Sequence, residues 1–162
     1  MDIHKDWNRI KRIFNDGAKS NFYFSVASTN TDGSPHVTPI GSLMLYEPGR
    51  GVYLDELPVR LSRNIGHNPR VCVMAVNGGT GFWFSSLIRG RFNRHVGLRL
   101  TGTAGGRRPG TQAEIDRWLR RVSLFRWTKG YDRLWRDMKM VRDITFDGVM
   151  PVTGGRMSAG LN

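Results

Sequence analysis

The chain holds little with which to build covalent or metal-centred chemistry. Of its 162 residues one is cysteine, four are histidine and only 13 are acidic. A single thiol cannot close an internal disulfide, and Cys72 sits within the apolar run Val71-Cys72-Val73-Met74-Ala75-Val76, the setting of a small buried hydrophobe. His4, His36, His67 and His95 lack the paired spacing of a zinc site, so no metal centre is expected. There is no G-x-S-x-G elbow for acyl transfer. The glycines of Asn77-Gly78-Gly79-Thr80-Gly81 lead neither to Gly-Lys-Ser/Thr nor to a G-x-G-x-x-G that opens a helix. The one adjacent carboxylate pair, Asp55-Glu56, suits the closing of a strand end better than acid–base work. No apolar stretch reaches the roughly 18 residues that span a bilayer, and no apolar leader is seen, so the expected compartment is the cytoplasm. Any chemistry would then come largely from a bound cofactor.

What the chain has in excess is positive charge. The net value is +12, and residues 88–142 carry 15 Lys and Arg against four acids, which accounts for nearly all of it. Such a field attracts nucleic acid, an anionic membrane surface or an anionic substrate. The length fits one domain, expected over residues 1–162 with a basic helical insertion or extension at about 107–140. A chain of this size buries about 68–70% of its unfolded surface and needs no staple.

Periodicity supplies the elements. Trp7, Ile10, Ile13 and Phe14 recur at helical spacing over residues 5–16, with Gly17 as the expected stop. Residues 22–28 form a strand, Asp32-Gly33 reverses the chain, and residues 35–45 form a second strand. Pro35 and Pro39 remove ladder donors and put part of that strand at an edge. A third strand ends at Leu54; Pro58 then starts a short basic helix with Leu61 and Ile65 on one face, before a strand at 71–76. Arginines beside a helix N-terminus suit an anion such as phosphate, or merely solvate the helix. The aromatic run Phe82-Trp83-Phe84, followed by Arg89, Arg91 and Phe92, alternates as a strand would; it either packs into a core or walls a pocket, and a single-strand nucleic-acid platform is the further option. A strand at 97–104 leads to a basic loop at 105–110. Thr111 and Glu114 form a capping box before Ile115, Trp118, Leu119 and Val122, and a second helix is expected at 131–140. A strand at 141–146 and a weak terminal strand or tail close the chain.

The ordered set D-G-x-P-H-V-T-P, a strand, then R-x-x-R-N-I-x-x-N-P-R-V opening the next strand resembles the pyridoxamine 5'-phosphate oxidase-like flavoproteins, the FMN-binding split-barrel superfamily. The resemblance covers about residues 7–76 and, weakly, 97–104. It implies an α+β fold, mainly antiparallel β with flanking helices in a split barrel, and FMN held at a homodimer interface. Carried over residue by residue, it puts His36, Thr38 and Arg60 on the phosphate and Leu54 and Asp55 beside the ring or ribityl chain. The family's S-R-K stands here as Val59-Arg60-Leu61, so a hydroxyl and a cation are missing. Arg63, one turn on, replaces the lysine; without it phosphate binding weakens by roughly 1.5–3 kcal/mol per lost contact, or the cofactor is FAD, a deazaflavin or none. The implied activity is that of an FMN-dependent oxidoreductase; no catalytic side chain or substrate is identified. The alternative is a non-catalytic module on the same fold whose basic helices hold nucleic acid or another polyanion. A haem-binding relative, with His36, His67 or His95 on iron, is a third reading.

Overall fold

The computed structural model describes residues 1–161. Seven antiparallel strands form one sheet: β1 (Phe24–Thr29), β2 (Pro35–Ile40), β3 (Met44–Leu45), β4 (Arg50–Leu54), β5 (Arg70–Val76), β6 (Gly97–Pro109) and β7 (Met140–Val152). Their order is β2-β1-β5-β6-β7-β4-β3. The two outermost strands are therefore joined by only Gly41, Ser42 and Leu43. Four Cα steps, from Ile40 to Met44, reach at most about 15 Å. The edges of a flat seven-stranded sheet would stand roughly 29 Å apart. The sheet must be rolled until its edges approach, which is the split β-barrel expected from the sequence.

The helices α1 (Trp7–Asn21), α2 (Val59–His67), α3 (Thr80–Arg89), α4 (Gln112–Arg121) and α5 (Lys129–Leu134) flank it. None of the described helices is long and apolar enough to cross a membrane. One apolar cluster sets Trp7, Ile10 and Phe14 of α1 against Phe24, Val73, Leu98 and Ile144 of the sheet. A second lies beneath α4 and α5, where Trp118, Val122, Tyr131 and Met138 meet Val52, Leu54 and Val141.

Several boundaries differ from the sequence expectations. Helix α1 does not stop at Gly17. A Cβ there would lie 3.1 Å from both the Cβ of Ala75 and the amide nitrogen of Val76, so the glycine lets α1 approach β5. The stop falls to Phe22 instead, in the left-handed region at φ 62°. The expected strand at 35–45 breaks at Gly41, its halves serving opposite edges of the sheet. The aromatic run is helical, not extended: α3 ends at Gly90 in left-handed conformation, Phe82 stacks on Phe92 at 5.7 Å, and Phe84, Leu87 and Ile88 face outward. The basic stretch 105–109 is the end of β6 rather than a loop. Helix α5 ends at Leu134, because the chain turns there to bring Trp135 against Trp118 and Tyr131. Strand β7 runs past Gly148 through a bulge at Asp147.

Candidate functional site

Strand β2 lies at one sheet edge, with Pro35, Val37 and Pro39 exposed. Alternation puts His36 and Thr38 together on its other face, where His36 Nε2 and Thr38 Oγ1 share a hydrogen bond of 3.1 Å. Helix α2 is fixed beside this edge from two directions. Asn64 Nδ2 donates to Ser28 Oγ and to Asn30 Oδ1, both at 3.0 Å, binding α2 to the β1–β2 hairpin. On its other flank Ser62 Oγ donates to Asp55 Oδ2 at 3.2 Å and accepts from Arg142 Nη2 at 2.8 Å. Among the described residues no side chain caps the N-terminus of α2 and no acid stands in its first turn, so its first amides have no side-chain acceptor.

Thr38, Leu54, Leu57 and Pro58 line a groove of about 1600 Å³ that runs from this end of α2 between α1 and α4. That exceeds the roughly 300–1,000 Å³ of most small-molecule sites. Its floor is apolar, with Ile40, Met44 and Trp118; its walls bring Lys11, Arg12 and Lys19 from α1 and Arg117, Arg120 and Arg121 from α4, with no carboxylate in the lining. Arg121 Nη1 donates to the carbonyl of Leu43 at 3.0 Å, and its guanidinium lies 5.9 Å from the Phe24 ring centroid. Desolvation, then the neighbouring Arg117 charge, lower the Arg121 pKa from its ordinary value. The groove thus favours an anion with an apolar body.

Of the six residues singled out in the sequence, Thr38 and Leu54 line the groove and His36 reaches it through Thr38. Arg60 and Arg63 are exposed on α2, outside the lining. Arg60 adds its charge to the Ser34 hydrogen bonds that lower the pKa of Asp32 at the hairpin tip. Asp55 is buried away from the groove: its Oδ2 accepts from Arg142 Nε at 2.8 Å, and the carboxylate pushes the already desolvated Tyr53 phenol further up. Glu56 does close a strand end, accepting from the Lys139 and Met140 amides at 2.5 and 2.7 Å. Among the described residues no group of three or more metal-binding side chains assembles. Sequence reasoning missed Ser42, whose Oγ accepts from the Leu54 amide at 3.0 Å and ties the edge-to-edge link to the groove floor. Nor did it bring the cations of α1 and α4 together on one groove; the i, i+4 spacing of Arg117 and Arg121 was the available signal.

A flavin mononucleotide asks for donors around a dianionic phosphate and an apolar slot for its ring. The uncapped end of α2, His36 and Thr38 would supply the first, with Arg60 and Arg63 adding charge from outside the lining, and Leu54, Ile40, Met44 and Trp118 would supply the second. The residues present fit the group.

A family model described as pyridoxamine 5'-phosphate oxidase matches residues 13–140. No functionally curated protein matches the sequence significantly. Among solved structures, the chain is similar to an FMN-binding protein from Syntrophomonas wolfei subsp. wolfei (TM-score 0.64, 10% identity, 93% of this chain and 90% of the other). It is similar to HutZ, the heme storage protein from Vibrio cholerae (0.55, 14%, 93% and 95%), and to an F420 reductase (0.53, 13%, 79% and 88%). At these identities the likeness is one of fold.

Proposed function

We infer the function from one premise: the chain belongs to the pyridoxamine 5'-phosphate oxidase family, whose model it matches over most of its length. On that premise we propose that it binds FMN in the groove beside α2 and acts as a flavin-dependent oxidoreductase, as a homodimer in the cytoplasm. The observation that carries this reading is the uncapped N-terminus of α2 at the mouth of an acid-free groove, with His36 and Thr38 alongside. In it, Thr38, His36 and Arg60 bind the phosphate, Arg63 adds charge, and Leu54 borders the ring. Asp55 acts from beneath, through Ser62, to hold α2 in place. Bound flavin would supply the hydride or electron transfer for which the protein has no side chains of its own. The apolar ridge of α3, with Phe84, Leu87 and Ile88 at i, i+3 and i+4, offers the second subunit a contact.

A deazaflavin or FAD fits the same donors, and the F420 reductase likeness keeps the deazaflavin in view. Haem is the competing chromophore suggested by HutZ, but no histidine pair is brought together here: His36 lies on the edge strand, His67 at the exposed end of α2, and His95 in the interior. The nucleic-acid alternative finds no support in these likenesses. The absorption spectrum of the purified protein separates the cases, a yellow chromophore released on denaturation and identified by mass being the expected result. Arg60→Ala should then weaken flavin binding about tenfold, equivalent to the roughly 1.5 kcal/mol of one charge-assisted contact. An unchanged affinity by flavin titration would remove Arg60 from the phosphate.

A further inference from the structure

The turn between α4 and α5 exposes apolar side chains that the flavin reading does not use. Leu124 is 81% exposed and Trp127 86%, with Phe125 and Leu134 also open to solvent. Around them on the same short stretch stand Arg120, Arg126, Lys129 and Arg133, none of which has an ion-pair partner among the described residues, while Asp132 is taken by Arg136. Arg120, Leu124 and Phe125 share one wall of the groove, whose opposite rim carries the exposed Phe22 and Tyr23. Exposed Trp and Leu ringed by unpaired cations is the chemistry of an interfacial anchor: the apolar tips enter the headgroup boundary and the cations meet lipid phosphates.

We propose that the α4–α5 turn docks this protein on an anionic lipid surface, with Leu124 and Trp127 inserted and Arg120, Arg126, Lys129 and Arg133 on the headgroups. Charge complementarity separates this occupant from a second copy of the chain. A two-fold contact through the patch would set the same four cations against themselves, which costs energy unless counter-ions are trapped. The α3 ridge carries its apolar side chains in a row and is the better surface for such a contact. Nucleic acid would use Trp127 for stacking but has no use for two exposed leucines. The docked orientation brings the mouth of the groove to the lipid, since Arg120, Leu124 and Phe125 belong to both.

The test is co-sedimentation of the full chain with vesicles of phosphatidylcholine alone, or of phosphatidylcholine mixed with phosphatidylglycerol. Thermal unfolding and gel filtration are run on each variant. Binding to the anionic vesicles is expected with or without added flavin, so failure here is distinguishable from failure of the flavin reading. Raising salt from about 0.1 M to about 0.5 M should weaken it strongly. The double variants Leu124→Ser/Trp127→Ser and Arg126→Ala/Lys129→Ala should each lose roughly tenfold or more in vesicle partition at unchanged melting temperature. The proposal is overturned by absent binding, by variants that bind like the parent, or by a change of oligomeric state in the Leu124/Trp127 variant without vesicle binding by the parent, which would assign the patch to a second copy.

Discussion

Two arginine junctions hang helices on the same stretch of β7, and they are built to opposite specifications. Arg142 and Asp143 are neighbours on that strand, so their side chains leave from opposite faces. Arg142 turns inward. Its guanidinium bonds Asp55, Ser62 Oγ and the carbonyl of Gly105, the last made available where β6 bulges between Ala104 and Arg107. The Arg142 and Asp55 side chains are 8% and 0% exposed. Asp143 turns outward and meets Arg108, which forks between Asp143 (2.6 and 2.7 Å) and Glu114 (3.0 and 2.8 Å) at the start of α4. That guanidinium remains partly in water. The inner junction positions α2 and hence the proposed phosphate site, whereas the outer one positions α4 and the basic wall of the groove. Burial is what separates them: removing one partner strands a charge in the first case and re-exposes it to water in the second.

The largest expected effect is therefore Asp55→Ala. It leaves Arg142 buried and unpaired, a defect that costs about 3–5 kcal/mol, and should lower the melting temperature by about 10 °C or more. Flavin affinity should fall with it as α2 loses its inner tether. Replacing both partners, as Asp55→Leu with Arg142→Met, should recover most of the stability and little of the affinity. A loss under about 1 kcal/mol for Asp55→Ala would mean that the junction is hydrated, and the contrast with Arg108 would collapse.

The outer junction predicts a smaller effect that depends on pH. Hydrogen bonding to Arg108 first, then to Thr111, holds the Glu114 pKa at about 2 against an ordinary 4.5. A folded-state pKa below the unfolded one stabilises fully above about pH 4.5, and that contribution drains away as pH falls through about 2. The full shift would be worth roughly 3 kcal/mol, but an arginine side chain left 36% exposed reduces it to about 1–2 kcal/mol. Glu114→Gln, which keeps the shape of the capping box and removes the charge, should cost that much at pH 7 in denaturant unfolding. At pH 3 the gap to the parent should be visibly narrower; a gap independent of pH would show that the charge contributes nothing.

The two junctions also mark what a sequence shows of itself. Thr111 and Glu114 are three residues apart, and their capping box was legible because the physics is local; the structure shows it complete. So were the Asp32-Gly33 reversal, the start of α2 and the edge character of β2. Asp55 and Arg142 are 87 residues apart, and nothing in either neighbourhood announces the other. The resemblance put Asp55 beside the cofactor, while in the structure it is buried against Ser62 of α2 and Arg142. The α3 error has a related cause. Phe82-Trp83-Phe84 alternates over three residues, too short a window to separate a period of 2 from 3.6, and the stacking of Phe82 on Phe92 that settles the matter is a tertiary contact. Gly17 read as a stop because a close approach by β5 cannot be seen from α1. Thr38 and Leu54 line one groove in the structure, whereas its basic wall emerged only when the barrel placed α1 and α4 across that groove from each other.

A third junction extends the series to its exposed limit. Where β7 bulges at Asp147, that carboxylate pairs with Arg70 across the outer surface, and both side chains are about half exposed (52% and 53%). The contact is bidentate, and hydrogen bonding to Arg70 lowers the Asp147 pKa, so by its hydrogen-bond pattern alone it would rank beside Arg108. Water competes for every donor and acceptor in it, however, and salt screens what attraction is left. Asp147→Asn should accordingly leave the melting temperature unchanged within error at physiological salt. A loss as large as that of Glu114→Gln would show that hydrogen-bond geometry, rather than exclusion of water, ranks the three arginines, and the expectation for Asp55 would then have to be lowered accordingly.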